Sequence, residues 1–484
     1  MKNIIPLTIV VVYMVVLYSV AWYSTKLSQG GAKGFFLANR GFPVGIIAVM
    51  VCGMAVGGAS TVGVAQNAYT NGLSAGMYNA AWGAGAIICG LVLAKRMRNM
   101  TVYTLTEFLG HFYGPGARFI GVVGQLIVML TIVSLQYVAG GAVLTALLPE
   151  YFTFNSGMLF TAAAFVGICL IGGYWAAGLS NLINVIVIYI GLIIGAVTLV
   201  SASGGLAAMN TALPDAKWFS FTEGMGLFPI ITWFTVMITQ AQSTQGVIQI
   251  GFAAKDGPTA SKGFILAGLL ILPAGFISAI FGITAAIQFP GLANSVEALP
   301  KVVLSTSPII AGFVLAGLWA ADVSTAVGLL LGCATMILRD IINPIQKKER
   351  TKKEEMLVSR ALVLVVAFIT FFMALQVRSV LGTIMIGLSL TAPFTLTLLT
   401  TFYTPQLCRK SSAFWCLVVG VLAIFMWQFA PGDIRAFLRD TFRHLIYLEW
   451  LACIVTFFVV ALVDKHKCPI PEGYGLKEMK EIDA

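Results

Sequence analysis

Long apolar stretches separated by short polar connections run through the whole chain. Thirteen of them reach about 20 residues, the length a helix needs to cross a bilayer core. They are 4–24, 44–71, 73–95, 116–147, 155–175, 177–202, 227–250, 263–287, 308–338, 356–376, 380–403, 411–430 and 445–463. The longest polar connections are 96–115, 203–226, 288–307 and 339–355. The pattern predicts an all-α polytopic membrane protein of about thirteen transmembrane helices with no hydrophilic domain between them. The first run follows Lys2 and is too long for a secretory signal core. It lacks a convincing small-x-small cleavage site and reads as a spanning helix.

Two of the runs are interrupted. The second contains GMAVGGAS, Gly53 to Ser60. Glycine is about 1 kcal/mol worse than alanine inside a helix, so three glycines in six residues predict an unwound turn. Close packing against another helix is the alternative. The seventh contains TQAQSTQG, Thr239 to Gly246. Polar or irregular backbone at membrane depth is tolerated where it lines a cavity or is buried in protein; hydrogen bonds to a neighbouring helix are the alternative. The two interrupted runs are five apart, and an odd number of helices inverts the second unit relative to the first. Paired broken helices in inverted repeats point to a transporter binding site. The resulting plan has an N-terminal helix and first cytoplasmic loop (1–42) and a first five-helix repeat (43–202). An extracellular connection (203–226) leads to the inverted second repeat (227–403). Two C-terminal helices (404–464) and a cytoplasmic tail (465–484) complete it.

Composition supports this plan. The 484 residues are 59% hydrophobic and 10% charged, against about 25% charged in soluble domains. With the N-terminus outside, 22 of the 29 lysines and arginines fall in cytoplasmic loops and tail, including Lys347, Lys348 and Lys480. The positive-inside rule selects that orientation, with the C-terminus cytoplasmic and the protein in the plasma membrane. It also accounts for the net charge of +10 without a nucleic-acid partner. The loop RDIINPIQKKERTKKEE reads as a solvated segment near anionic lipid, not a binding site. Eight scattered cysteines form no CxxC pair, and the three histidines lie far apart in sequence. Nothing resembles a metal cluster, nucleophile triad or phosphate loop, so no enzyme and no organic cofactor are expected.

One charge needs explaining. Asp322, in WAADVST, is the only carboxylate in the middle of the ten core spans. Such a group costs about 2.5–3.5 kcal/mol at a bilayer centre.

Four stretches carry a resemblance. GGASTVGVAQNAYTNGLSAGMY, LAKRMRNMTVYTLTEFLGHFYG, QIGFAAKD and AADVST, in this order on these spans, resemble the sodium:solute symporter family over about residues 5–465. The resemblance implies the inverted-repeat fold of the bacterial leucine transporter with one extra helix before the core. It also implies a sodium site. The family's ligands map onto the carbonyls of Gly53 and Val56 at the first break, the carbonyl of Ala321, and the hydroxyls of Ser324 and Thr325. The chemistry fits: a hard cation takes oxygen ligands, and residues i, i+3 and i+4 share one helix face. The alternative for the hydroxyls is a bond to the preceding helical turn.

The chain departs from the family pattern twice. Asp322 stands where the family usually has a small or apolar residue, about 60° around the helix from Thr325. The fifth core helix often carries an acid and a glutamine, and here has Asn181 and Asn184. Asp322 is therefore a candidate for cation or proton coupling, for pairing a cationic solute, or for a structural hydrogen-bonded acid. No lysine or arginine lies mid-core, so a carboxylated solute has only the helix ends at Gly57 and Gly58 to receive it. The same mapping offers Tyr78, Asn79, Trp82, Gln136, Tyr137, Trp233, Gln240, Thr244 and Gln245 as solute contacts. Core packing is the alternative for any single one of these aromatic residues.

The combined expectation is sodium-coupled symport of a small organic solute by alternating access. Proton coupling through Asp322 and a non-transporting solute sensor are the alternatives. The oligomeric state has no signature in the sequence.

Overall fold

The computed structural model describes residues 4–27, 32–100, 102–292, 295–346, 350–376 and 380–477. Lys347, Lys348 and Lys480, and the last part of the predicted tail (478–484), lie outside these residues. Regular structure among the described residues is helical, apart from two isolated β-bridges, Phe42 with Ala254 and Arg409 with Lys467.

Among the described residues, ten stretches are long and apolar enough to span a membrane, so the protein is an integral membrane protein. They do not match the thirteen predicted runs one to one, for definite reasons. Runs 155–175 and 177–202 form one 49-residue stretch, Phe154–Ala202. At about 1.5 Å per residue it exceeds twice the bilayer core, and it folds at Gly173 (φ 58°, ψ −141°). A Cβ there would lie 2.7 Å from the Phe35 carbonyl oxygen, so glycine is required by both backbone and neighbour. The two interrupted runs divide into pieces too short to span alone.

The first break follows helix Val44–Ala55. Val56 leaves helical geometry (φ −90°, ψ 71°), and the chain resumes through a wide turn at Ala59–Gly63 into helix Val64–Asn71. The second break is at Thr244 (φ −70°, ψ 124°), between helices Leu227–Ser243 and Gln245–Phe252. Its freed backbone groups find a single partner. Gln125 Nε2 donates to the Ser243 carbonyl at 2.7 Å, and Gln125 Oε1 accepts the Gln245 N–H at 2.9 Å. One amide thus satisfies both sides of the gap, the condition for irregular backbone at this depth.

Helix Pro308–Met336 occupies the centre, and the most apolar window of its span is fully buried. That placement keeps Asp322 from lipid. Outer helices instead expose apolar side chains such as Ile186, Val197, Phe368, Val455 and Phe458, the surface that hydrocarbon accepts. Beyond the last helix, Leu445–Val463, the chain returns along the protein. Cys468 N–H donates to the Cys408 carbonyl at 3.1 Å, and Tyr474 stacks on Phe402 at 5.9 Å.

Candidate functional site

Five oxygen-bearing groups meet where the first break crosses helix Pro308–Met336. Ser324 Oγ donates to the Gly53 carbonyl at 2.7 Å and contacts the Ala321 carbonyl at 2.8 Å. Thr325 Oγ1 lies 3.0 Å from the Gly53 carbonyl, 3.2 Å from that of Met54 and 3.1 Å from that of Ala321. The hydroxyls bond to the preceding turn and across to the break at once. Every group is an oxygen, the set a hard cation draws on. Val56 stands at the break, but its carbonyl is not among the acceptors of Ser324 or Thr325. The Met54 carbonyl is the second one from the break that the hydroxyls reach.

Beside this cluster lies a narrow cavity. Tyr78, Trp82, Gln136, Gln240 and Thr244 line it, as do Gly57 and Thr325. Both breaks therefore face one space. Thr325 belongs to the cavity wall and to the oxygen cluster. A Cβ on Gly57 would fall 2.5 Å from Thr325 Oγ1, so the close approach of break and helix depends on glycine.

Four predicted contacts lie elsewhere. Asn79 faces the other way, its Cβ 2.6 Å from the Cβ position of Gly275 on helix Gly257–Gln288. Tyr137, one residue and about 100° on from Gln136, donates to the Ala367 carbonyl at 2.8 Å and packs on Phe165 and Phe371. Gln245 lies beyond the second break, where its Oε1 accepts the Leu105 N–H at 2.8 Å and its Nε2 reaches Gln249 at 3.2 Å. Trp233 lines a separate vestibule at the 203–226 end with Met385 and Trp427. Its ring meets Tyr78 edge to face at 5.8 Å. This aromatic pair divides cavity from vestibule, with Ile384 on the cavity side and Met385 on the other.

The opposite end is closed more heavily. Asp340 is buried, accepting from Thr104 at 2.8 Å, Thr106 at 2.6 Å and Arg118 Nε at 2.8 Å. Arg339 pairs with Glu355 at 3.4 Å and lies over the Tyr103 ring at 4.1 Å. The start of the loop expected to be solvated is thus a tie between the two repeats. The charged run gave no sign of this, because the partners of Asp340 are more than 200 residues away in sequence.

Other residues near the cluster were not assigned to it from the sequence. The Asn181 side chain comes within 3.1 Å of the Cβ position of Gly53, beside the oxygen cluster. It is held there through Asn184 (3.3 Å), which accepts from Tyr13 at 2.6 Å. The place of these asparagines on the fifth core helix was the available signal. Apolar lining residues such as Ile132 and Leu388 carry none in a chain this hydrophobic. Glu449, in the last helix, is buried with neither oxygen hydrogen-bonded, apart from the cavity and the cluster.

Comparison with known proteins agrees with this geometry. The sequence profile described as the Sodium:solute symporter family matches residues 35–420. The chain is similar to a human sodium/glucose cotransporter 4, 25% identical over 96% of this chain and 76% of the relative. It is also similar to a sodium/proline symporter 2 of Staphylococcus saprophyticus, 22% identical over 94% of this chain and 92% of the relative. Among solved structures, a substrate-bound outward-open Na+-coupled sialic acid symporter superposes with a TM-score of 0.81 at 17% identity, covering 96% of this chain and 98% of that one. A nucleobase-cation-symport-1 family transporter gives 0.59 at 16% identity, covering 88% and 92%. These last two likenesses speak for the fold alone. The extent of the profile match and the two broken helices facing one cavity lead to one conclusion: the chain belongs to the sodium:solute symporter family.

Proposed function

We propose that the protein imports a small organic solute, driven by sodium bound at Gly53, Val56, Ala321, Ser324 and Thr325, by alternating access across the plasma membrane. The observation that carries this reading is Thr325, which serves the oxygen cluster and the cavity wall together. A cation drawing Thr325 Oγ1 toward the cluster reshapes the solute's wall, and a solute against Thr325 holds the cluster closed. By linkage each then raises the other's affinity. The N-terminus is outside, so the vestibule lined by Trp233 opens outward. The thin aromatic division on that side and the thick polar closure on the other correspond to a state loaded from outside.

The driving force is sufficient with one ion. A tenfold sodium gradient supplies about 1.4 kcal/mol and a potential of 100 mV about 2.3 kcal/mol per charge. Their total would concentrate a neutral solute several-hundred-fold. The test is solute-evoked current in proteoliposomes with sodium or potassium outside. Currents that ignore the replacement would end the sodium reading.

The two glutamines flanking the second break separate solute contact from closure. Gln240→Ala is expected to raise the half-saturating solute concentration about tenfold, the loss of one or two buried hydrogen bonds, and to leave sodium affinity unchanged. Gln245→Ala leaves the Leu105 N–H without its acceptor and is expected to destabilise the protein by about 1–3 kcal/mol, with solute affinity intact. Equal effects of both on solute affinity would place the solute across the break instead. Trp233→Ala removes half of the aromatic division; solute release toward the outside is expected to accelerate several-fold in stopped-flow exchange.

A further inference from the structure

The anion-receiving position at the first break is filled by the protein itself. The start of a half-helix offers free N–H groups and the positive end of a dipole, and in broken-helix transporters such ends receive anionic solute groups. Here the Gly58 N–H donates to Gln136 Oε1 at 3.3 Å. Asp322 comes to the same residue: a Cβ on Gly58 would fall 2.7 Å from Asp322 Oδ1 and 2.3 Å from Ala139 Cβ. Two acceptor oxygens thus gather at the helix end that the sequence offered to a carboxylated solute. A solute carboxylate brought there would meet these oxygens in place of a free N–H.

Asp322 is fully buried, and neither carboxylate oxygen has a hydrogen-bond partner among the described residues. A carboxyl so placed stays neutral unless a cation stands beside it to favour the ionised form. Among the described residues, the cavity wall contains no lysine, arginine or histidine. It does contain Tyr78 and Trp82, whose ring faces attract an organic cation. Gly57 and Ala59 line the cavity, and Asp322 backs on Gly58 between them, where glycine puts no side chain over the carboxylate. Thr325, about one helical turn along from Asp322, is also in the wall.

Resting on the symport reading above, we infer that the solute is a small organic cation without a carboxylate, its positive centre held between Asp322 behind the glycine break and the rings of Tyr78 and Trp82. The sodium cluster stays separate, because its oxygens come from Gly53, Ala321, Ser324 and Thr325.

The test uses the full chain in proteoliposomes on a solid-supported membrane. A small-molecule cell extract is divided on ion exchangers into cationic, neutral with zwitterionic, and anionic fractions, and each is applied with sodium or potassium. Wild type is expected to give sodium-dependent current with the cationic fraction alone. Asp322→Asn is expected to lower that response at least tenfold while sodium applied alone still moves charge. A sodium-dependent response to the anionic or the neutral fraction overturns the inference and leaves symport standing. So does an Asp322→Asn protein that responds like wild type. Should that variant fail to move charge with sodium, the wild-type fractions alone decide. Absence of sodium-dependent current with every fraction overturns the symport reading and this inference with it.

Discussion

Replacing Ser324 and Thr325 together by alanine is expected to raise the sodium concentration for half-maximal transport by at least tenfold. The two hydroxyls are the only side-chain oxygens in the cluster with Gly53, Met54 and Ala321. Removing both leaves carbonyls alone, too few for a hard cation that takes about six oxygens. Each hydroxyl also bridges the break to helix Pro308–Met336, so part of the effect will come from looser contact. The single variants separate the two contributions. Ser324 touches only the cluster, so Ser324→Ala should alter sodium dependence and spare solute affinity at saturating sodium. Thr325 also lines the cavity, so Thr325→Ala should weaken both. Thr325→Ser keeps the oxygen and should restore most of the sodium affinity. Isothermal titration with sodium in detergent reads the cation site without transport. Unchanged sodium affinity in the double variant would remove the site assignment.

The second large effect is expected at the opposite closure. Asp340→Ala removes a buried carboxylate that accepts from Thr104, Thr106 and Arg118. Breaking a buried pair by deleting one partner costs about 3–5 kcal/mol. Arg118 keeps about a quarter of its side chain in solvent, 26%, so the lower part of that range applies. The two threonines belong to the first repeat and Asp340 to the second, so the loss falls on the closed arrangement. Thermal unfolding should show a destabilised protein, and solute trapped from the outside should leak through the far side. Arg118→Met in the same background removes the stranded cation and should recover a large part of the stability. If Asp340→Ala melts like wild type, or the double variant is no better than the single, this network does not hold the closure.

Much of this architecture was legible in the sequence. Three glycines between Gly53 and Gly58 and the polar run around Thr244 located both breaks, because helix propensity and the intolerance of lipid for polar backbone are local matters. The spacing of Ala321, Ser324 and Thr325 put them on one face, because the helical repeat alone decides that. The same repeat does not say which neighbour a face meets. Gln136 reaches the cavity and Tyr137 does not, since consecutive residues point about 100° apart and only the packing of the whole bundle chooses between them. Gln240 and Gln245 read alike in one polar run, yet Thr244 divides cavity wall from closure. Asp340 read as the start of a solvated loop until its partners arrived from the first repeat. For Asp322, the sequence by itself determined that a carboxylate stands inside an apolar membrane run and needs compensation. Only the tertiary structure decided that it faces Gly58, with Gln136 already on the N–H and no lysine, arginine or histidine among the described residues of the cavity wall, because what surrounds a buried carboxyl is set by contacts distant in sequence.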